Sequence, residues 1–215
     1  MLTKLIANRY LDLPDVFKEQ ALPQKPAFPA HFVESNYPIF NIAESETEGG
    51  TRMSSIGTGA LATKAHRTFR WLAYVKGKVT YLPYAGADIL TGKMSGCWIT
   101  VFKHGGTSYV AHIGTDDFPD TPNSKQAKKA WRDAETSKAV TLVKAFNPVG
   151  PDLPNKALEK RDKAKEFYAA VETSGGGGFF TVVLGNKSTT PGPGPRKIYN
   201  VFAMAPKMAI KFMGE

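Results

Sequence analysis

The only cysteine in the 215 residues, Cys97, follows the small-residue turn Ser95-Gly96 and opens the run Trp98-Ile99-Thr100-Val101-Phe102. A histidine, His112, stands in the run that follows Gly105-Gly106. A thiol beside an imidazole can do acyl-transfer chemistry. The histidine takes the proton, and the ion pair lowers the cysteine pKa from about 8.5 to below neutrality. Ser95-Gly96 would let the backbone turn tightly, so that N–H groups near Cys97 face a developing oxyanion. A third group should orient the imidazole, and Thr91, Asp116, Asp117 or a backbone carbonyl could serve.

Geometry decides whether these side chains meet. Gly105-Gly106 between two β-like arms predicts a two-residue hairpin. With those glycines at the tip, His104 faces Thr107, Ile99 faces His112 and Cys97 faces Gly114, which leaves the thiol uncrowded. Side chains alternate faces along a strand. Cys97, Ile99 and His112 therefore share a face, with Cys97 and His112 diagonal at roughly 7–8 Å between backbones. The other histidine of the hairpin, His104, falls on the opposite face and about 23 Å along the strand from Cys97. One residue of slip would separate the pair.

The flanking chain supplies the frame. Residues 1 to 67 read as an irregular N-terminal wrap, punctuated by Pro14, Pro23, Pro26, Pro29 and Pro38. It contains a short helix near Asp15 to Leu22 and an exposed acidic loop from Glu44 to Glu48. Residues 68 to 215 form the sheet-and-helix core. Strands are expected over Phe69 to Val75, Lys78 to Tyr84, Ala139 to Phe146, Phe179 to Leu184, Ile198 to Met204 and Met208 to Phe212. Ala85 to Gly92 reads as a loop or a single turn. Helices are expected from Lys125 to Thr136, capped by Asn123 or Ser124, and from Lys156 to Val171, capped by Asn155. The first buries Ala127, Ala130, Trp131 and Ala134; the second, Ala157, Leu158, Ala164, Phe167, Tyr168 and Val171. Together these elements predict one α+β domain, a mixed or antiparallel sheet or sandwich flanked by helices.

Composition narrows the function classes. Hydrophobic content of 42% with 22% charged residues fits a globular core, not a disordered chain. No apolar run is long enough for a membrane span. Lys4 and Arg9 interrupt the N-terminal apolar residues, so no cleavable signal peptide is read there. A single cysteine allows no internal disulfide. The net charge of +9 favours an acidic partner surface, and the lysines gather on the two expected helices.

Other motifs carry less. Gly175 to Gly178 are expected between a helix and a strand, the wrong order for a phosphate loop. His31, His66, His104 and His112 lack metal-ligand spacing, and no metal or organic cofactor is expected. Phe69-Arg70-Trp71 reads as core, with no nucleic-acid module around it. An unpaired cysteine can also be simply a small core hydrophobe.

Met94-Ser95-Gly96-Cys97 resembles the Leu-Ser-Gly-Cys-type motif of bacterial toxin glutamine deamidases, the cytotoxic necrotizing factor catalytic domain and the Burkholderia lethal factor family. Met94 stands where that motif has leucine. His112 matches the family's histidine on the following strand in general position. Thr91, six residues before Cys97, matches the threonine of the lethal-factor type and of the similar Cys-His-Thr chemotaxis-receptor deamidases. The resemblance spans Thr91 to Thr115.

It implies a cysteine hydrolase that deamidates a glutamine side chain in a target protein, with Cys97, His112 and Thr91 as catalytic residues and Ser95-Gly96 at the oxyanion turn. It further implies a secreted bacterial toxin or effector. Such a protein would act as a monomer on an acidic docking face in a target-cell cytoplasm, exported without a cleavable signal peptide. The rival readings are a papain-like amidase or peptidase and a non-catalytic basic protein-binding module. A papain-like enzyme would start a helix at Cys97, whereas Trp98 to Phe102 is strand sequence.

Overall fold

The computed structural model describes residues 10–12, 22–37, 39–47, 50–57, 68–115, 120–153, 165–173, 177–185 and 196–212. In chain order the strands before the helix are β1 (Tyr10–Asp12), β2 (Phe32–Glu34), β3 (Ile39–Thr47), β4 (Gly50–Gly57), β5 (Thr68–Leu72), β6 (Val79–Pro83), β7 (Asp88–Met94), β8 (Trp98–His104) and β9 (Thr107–Ile113). Helix α1 (Pro122–Thr136) follows, then β10 (Thr141–Phe146), β11 (Lys165–Val171), β12 (Phe179–Gly185) and β13 (Arg196–Met204). One sheet closes into a barrel in the order β1-β13-β12-β11-β7-β5-β3-β4; the other has five strands ordered β10-β8-β9-β6-β2. Both are mixed, and with α1 they make a single α+β domain.

The β8–β9 hairpin has the register that its turn predicts. His104 pairs with Thr107 and Ile99 with His112. Gly105 and Gly106 take φ of +54° and +81°, left-handed values that glycine adopts without steric cost and that fit the strand twist. The five-stranded sheet is buried on both faces. Trp98, Phe102, Ala111 and Ile113 look toward α1, whose Ala127, Ala130, Trp131 and Ala134 form the expected buried stripe. Ile99, Val101 and Val110 look the other way, onto Ile89, Ala169, Val171 and Phe179 of the barrel sheet. The barrel encloses a separate core built on Phe69, Trp71, Leu90, Tyr168 and Val182.

Several expectations give way. The N-terminal region is not merely an irregular wrap. Residues 22 to 31 are irregular, but β2 joins the five-stranded sheet, and β3 and β4 pair from Phe40 opposite Gly57 to Thr47 opposite Gly50. Glu44 to Thr47 thus lie in a strand, where a long ladder of backbone bonds outweighs weak side-chain propensity. The helix expected near Asp15 falls, apart from Leu22, outside the described residues.

Asp88 to Thr91 belong to β7, flanked by β5 and β11, rather than to a loop. Lys165–Val171 is a strand where a helix ending at Val171 was expected, and residues 154–164 lie outside the described set. Phe167 to Val171 are buried on both faces, and a short, continuously apolar run of that kind does not distinguish strand from helix by periodicity. Gly177 and Gly178 accordingly lie between two strands. Helix α1 begins earlier than expected, at Pro122, with Thr121 accepting a bond from the Ser124 N–H. Met208 to Phe212 form no strand; Lys207 bridges Ala145, while Ile210 and Phe212 pack into the core beneath α1.

Candidate active site

Thr91 and His112 come from the two sheets and meet between them. Thr91 shares the face of Ile89, two residues earlier on β7, and pairs with Leu72 and Ala169 on either side. His112 sits on β9 between Ile99 and Thr80. Each is therefore held by a neighbouring strand on both sides. Thr91 Oγ1 and His112 Nδ1 are 2.8 Å apart, in hydrogen-bond contact across the layer. A short hydroxyl side chain facing a long imidazole suits the roughly 10 Å spacing of packed sheets.

Cys97 belongs to the same layer. It is part of the apolar cluster that includes Ile89, Ile99 and Val110. It directly precedes β8, so it sits at a strand start and not at a helix N-terminus. Its thiol donates to the Thr115 carbonyl at 3.0 Å, and the Thr115 hydroxyl donates to the Gly96 carbonyl at 2.7 Å. Gly96 has φ +149°, a value that L side chains rarely adopt. Met94 is buried and Ser95 exposed, so the Ser95 hydroxyl lies outside the inner cluster and its contribution is to the turn.

Burial governs the electrostatics. Thr91, Cys97, His112 and Thr115 are each no more than 1% exposed. Loss of hydration pushes the pKa of His112 down to about 3, so the imidazole is neutral near pH 7. A sulfur that donates a hydrogen bond carries its proton. The arrangement is thus a neutral thiol and a neutral imidazole, where a thiolate–imidazolium pair was expected.

With Thr91 on Nδ1, Nε2 points to the other side of the ring. Nε2 has no hydrogen-bond partner among the described residues. An unsatisfied buried polar atom costs about 1–3 kcal/mol, and such atoms are rare enough to call for an explanation. The Tyr74 ring lies beside the imidazole, 5.4 Å between centroids.

Of the four groups that could orient the imidazole, Thr91 makes the contact; Asp116 and Asp117 lie outside the described residues. His104 is remote from this layer, its Nδ1 on the Ala139 carbonyl at 2.7 Å and its ring against Phe28. Gly114 makes room for the backbone that leads into β6. Its N–H donates to the Lys78 carbonyl, and a Cβ there would stand 2.8 Å from the Val75 carbonyl oxygen. The residue that sequence reasoning missed is Thr115, for which the only signal was a polar β-branched residue two positions past the end of β9.

Among the described residues, no three His, Cys, Asp or Glu side chains gather as metal ligands, and no helix is long and apolar enough to cross a membrane. Neither a protein-family model nor a curated protein matches the sequence.

Proposed function

We propose that this protein is a cysteine hydrolase that deamidates a glutamine side chain of a target protein. The observation that carries the reading is the Thr91–His112 hydrogen bond in the layer that holds Cys97, with Nε2 left without a partner among the described residues. A proton on Nδ1, accepted by the Thr91 hydroxyl, leaves Nε2 with a lone pair to take the thiol proton. The strand setting of Cys97 supports this arrangement over a papain-like one.

The resting thiol is neutral, so its proton passes to Nε2 as sulfur attacks the amide carbon. His112 returns that proton to the departing nitrogen, the C–N bond breaks and ammonia leaves. Water, deprotonated by His112, then cleaves the thioester, giving a carboxylate and the free thiol. The net charge of +9 suits docking on an acidic protein surface. A bacterial effector acting in a target-cell cytoplasm, as a monomer and without an organic cofactor, is the matching biological setting.

The complete burial of Cys97 favours one competing reading, a thiol that only fills the core. Mass spectrometry separates the two. Host-cell lysate incubated with wild-type protein should show a glutamine-to-glutamate change in a defined target, absent with Cys97→Ser. Identical spectra from the two proteins would overturn the deamidase reading.

A further inference from the structure

Thr115 uses all three of its polar backbone and side-chain groups within one short stretch of chain. Its N–H donates to the Ile113 carbonyl at 2.8 Å, a three-residue turn that bends the chain at the end of β9. The bend brings Thr115 onto the turn that carries the nucleophile. There its hydroxyl holds the Gly96 carbonyl and its own carbonyl accepts the Cys97 thiol. One residue, 1% exposed, thus grips both the peptide before Cys97 and the sulfur itself.

The grip has a chemical consequence. A thiol whose proton rests on a carbonyl is held in its neutral form. That proton must leave the Thr115 carbonyl before His112 Nε2 can take it. The sulfur is also sealed from any substrate, being 1% exposed.

We propose that Thr115 is a positioning residue, a clasp that keeps Cys97 as a covered, protonated thiol until the Ser95–Cys97 turn is released. Its purpose rests on the hydrolase reading, but its test does not. Release breaks the Thr115 Oγ1–Gly96 and Cys97 Sγ–Thr115 carbonyl hydrogen bonds and no covalent bond.

The chain has one cysteine, so mass spectrometry after iodoacetamide treatment reports Cys97 alone. Native wild type should label at least about 100-fold more slowly than the same protein in concentrated urea. Thr115→Val keeps the shape and the backbone carbonyl but loses the bond to Gly96; it should label about tenfold faster than wild type, the effect of one buried hydrogen bond. Thr115→Ser restores the hydroxyl and should label like wild type. Ala130→Gly on α1, compared at equal distance below its melting temperature, should not label faster.

Native labelling as fast as in urea, a Val variant no faster than wild type, or equal acceleration by Ala130→Gly would each overturn the clasp. Should Thr115→Val not fold, wild type alone decides. A labelling rate flat across sub-denaturing urea supports local release, and a slope as steep as that of global unfolding overturns it. Labelling as expected with no deamidation of any target would remove the hydrolase reading and leave the clasp standing.

Discussion

The two faces of the five-stranded sheet are both buried and differently built. Beneath α1, rings do the packing. Phe32 stacks on Trp131 at 6.2 Å, Phe102 meets Trp131 edge-on at 5.7 Å, and Phe28 stacks on Tyr81 at 3.9 Å. Tyr81 Oη, Thr100 Oγ1 and Trp131 Nε1 are buried there with no hydrogen-bond partner among the described residues. On the other face, polar groups are bonded to one another: Thr91 to His112, Cys97 to Thr115, Thr115 to Gly96. An unpaired buried atom alone therefore does not mark a site, since both faces have them. What distinguishes the second face is an imidazole fixed at one nitrogen and, among the described residues, without a partner at the other, in the layer of the sole thiol. Aromatic rings stabilise by area and contact, whereas the bonded groups fix orientation.

The contrast predicts how substitutions sort. Trp131→Ala should have the largest effect on stability, about 3–5 kcal/mol by denaturant unfolding. Below its melting temperature it should leave the iodoacetamide labelling of Cys97 slow. Fast labelling in the folded variant would show that the two faces are not independent.

Acid should act through the other face. Above the ordinary histidine pKa of 6.5, folded and unfolded His112 are both neutral and its contribution to stability is fully present. As pH falls from 6.5 toward about 3, the unfolded chain takes up a proton that the buried imidazole refuses. Stability then drops by about 1.4 kcal/mol per pH unit from this group alone. His112→Leu should flatten that part of the profile. An unchanged slope would mean that the imidazole is not buried in solution.

Smaller effects test the bonds themselves. Thr91→Val strands His112 Nδ1 and should cost about 1–3 kcal/mol, with Thr91→Ser recovering most of it. A neutral Thr91→Val would remove the inter-sheet hydrogen bond from the account. Smallest of all, Gly106→Ala places a side chain at φ +81° in open space, so only backbone strain counts. A loss of about 1 kcal/mol is expected, with the Ile99–His112 pairing kept. Two-dimensional NMR of the hairpin would reveal a register shift instead.

How much was legible in the sequence depends on how locally each feature is encoded. The register of the hairpin follows from two glycines, and the stripe of α1 from alanines at helical spacing around Trp131. Cys97 and His112 stand out in the sequence as the sole thiol and an imidazole on facing hairpin arms, and Thr91 through a resemblance of spacing. The β7 strand is hidden by Gly86 just before it and Gly92 within it, and β3 by its glutamates. The apolar run of β11 is buried on both faces, so its sequence reads equally well as helix.

What the sequence determined by itself, then, was which side chains are candidates for chemistry and the pairing of β8, which Cys97 directly precedes, with β9, which carries His112. Turn geometry and alternation act over neighbouring residues, so they can be read without the fold. Only the tertiary structure decided that Thr91 faces His112 across two sheets, that burial holds the imidazole neutral, and that Thr115 returns to cover the thiol. Those outcomes come from long-range packing and loss of hydration, which no local pattern of residues contains.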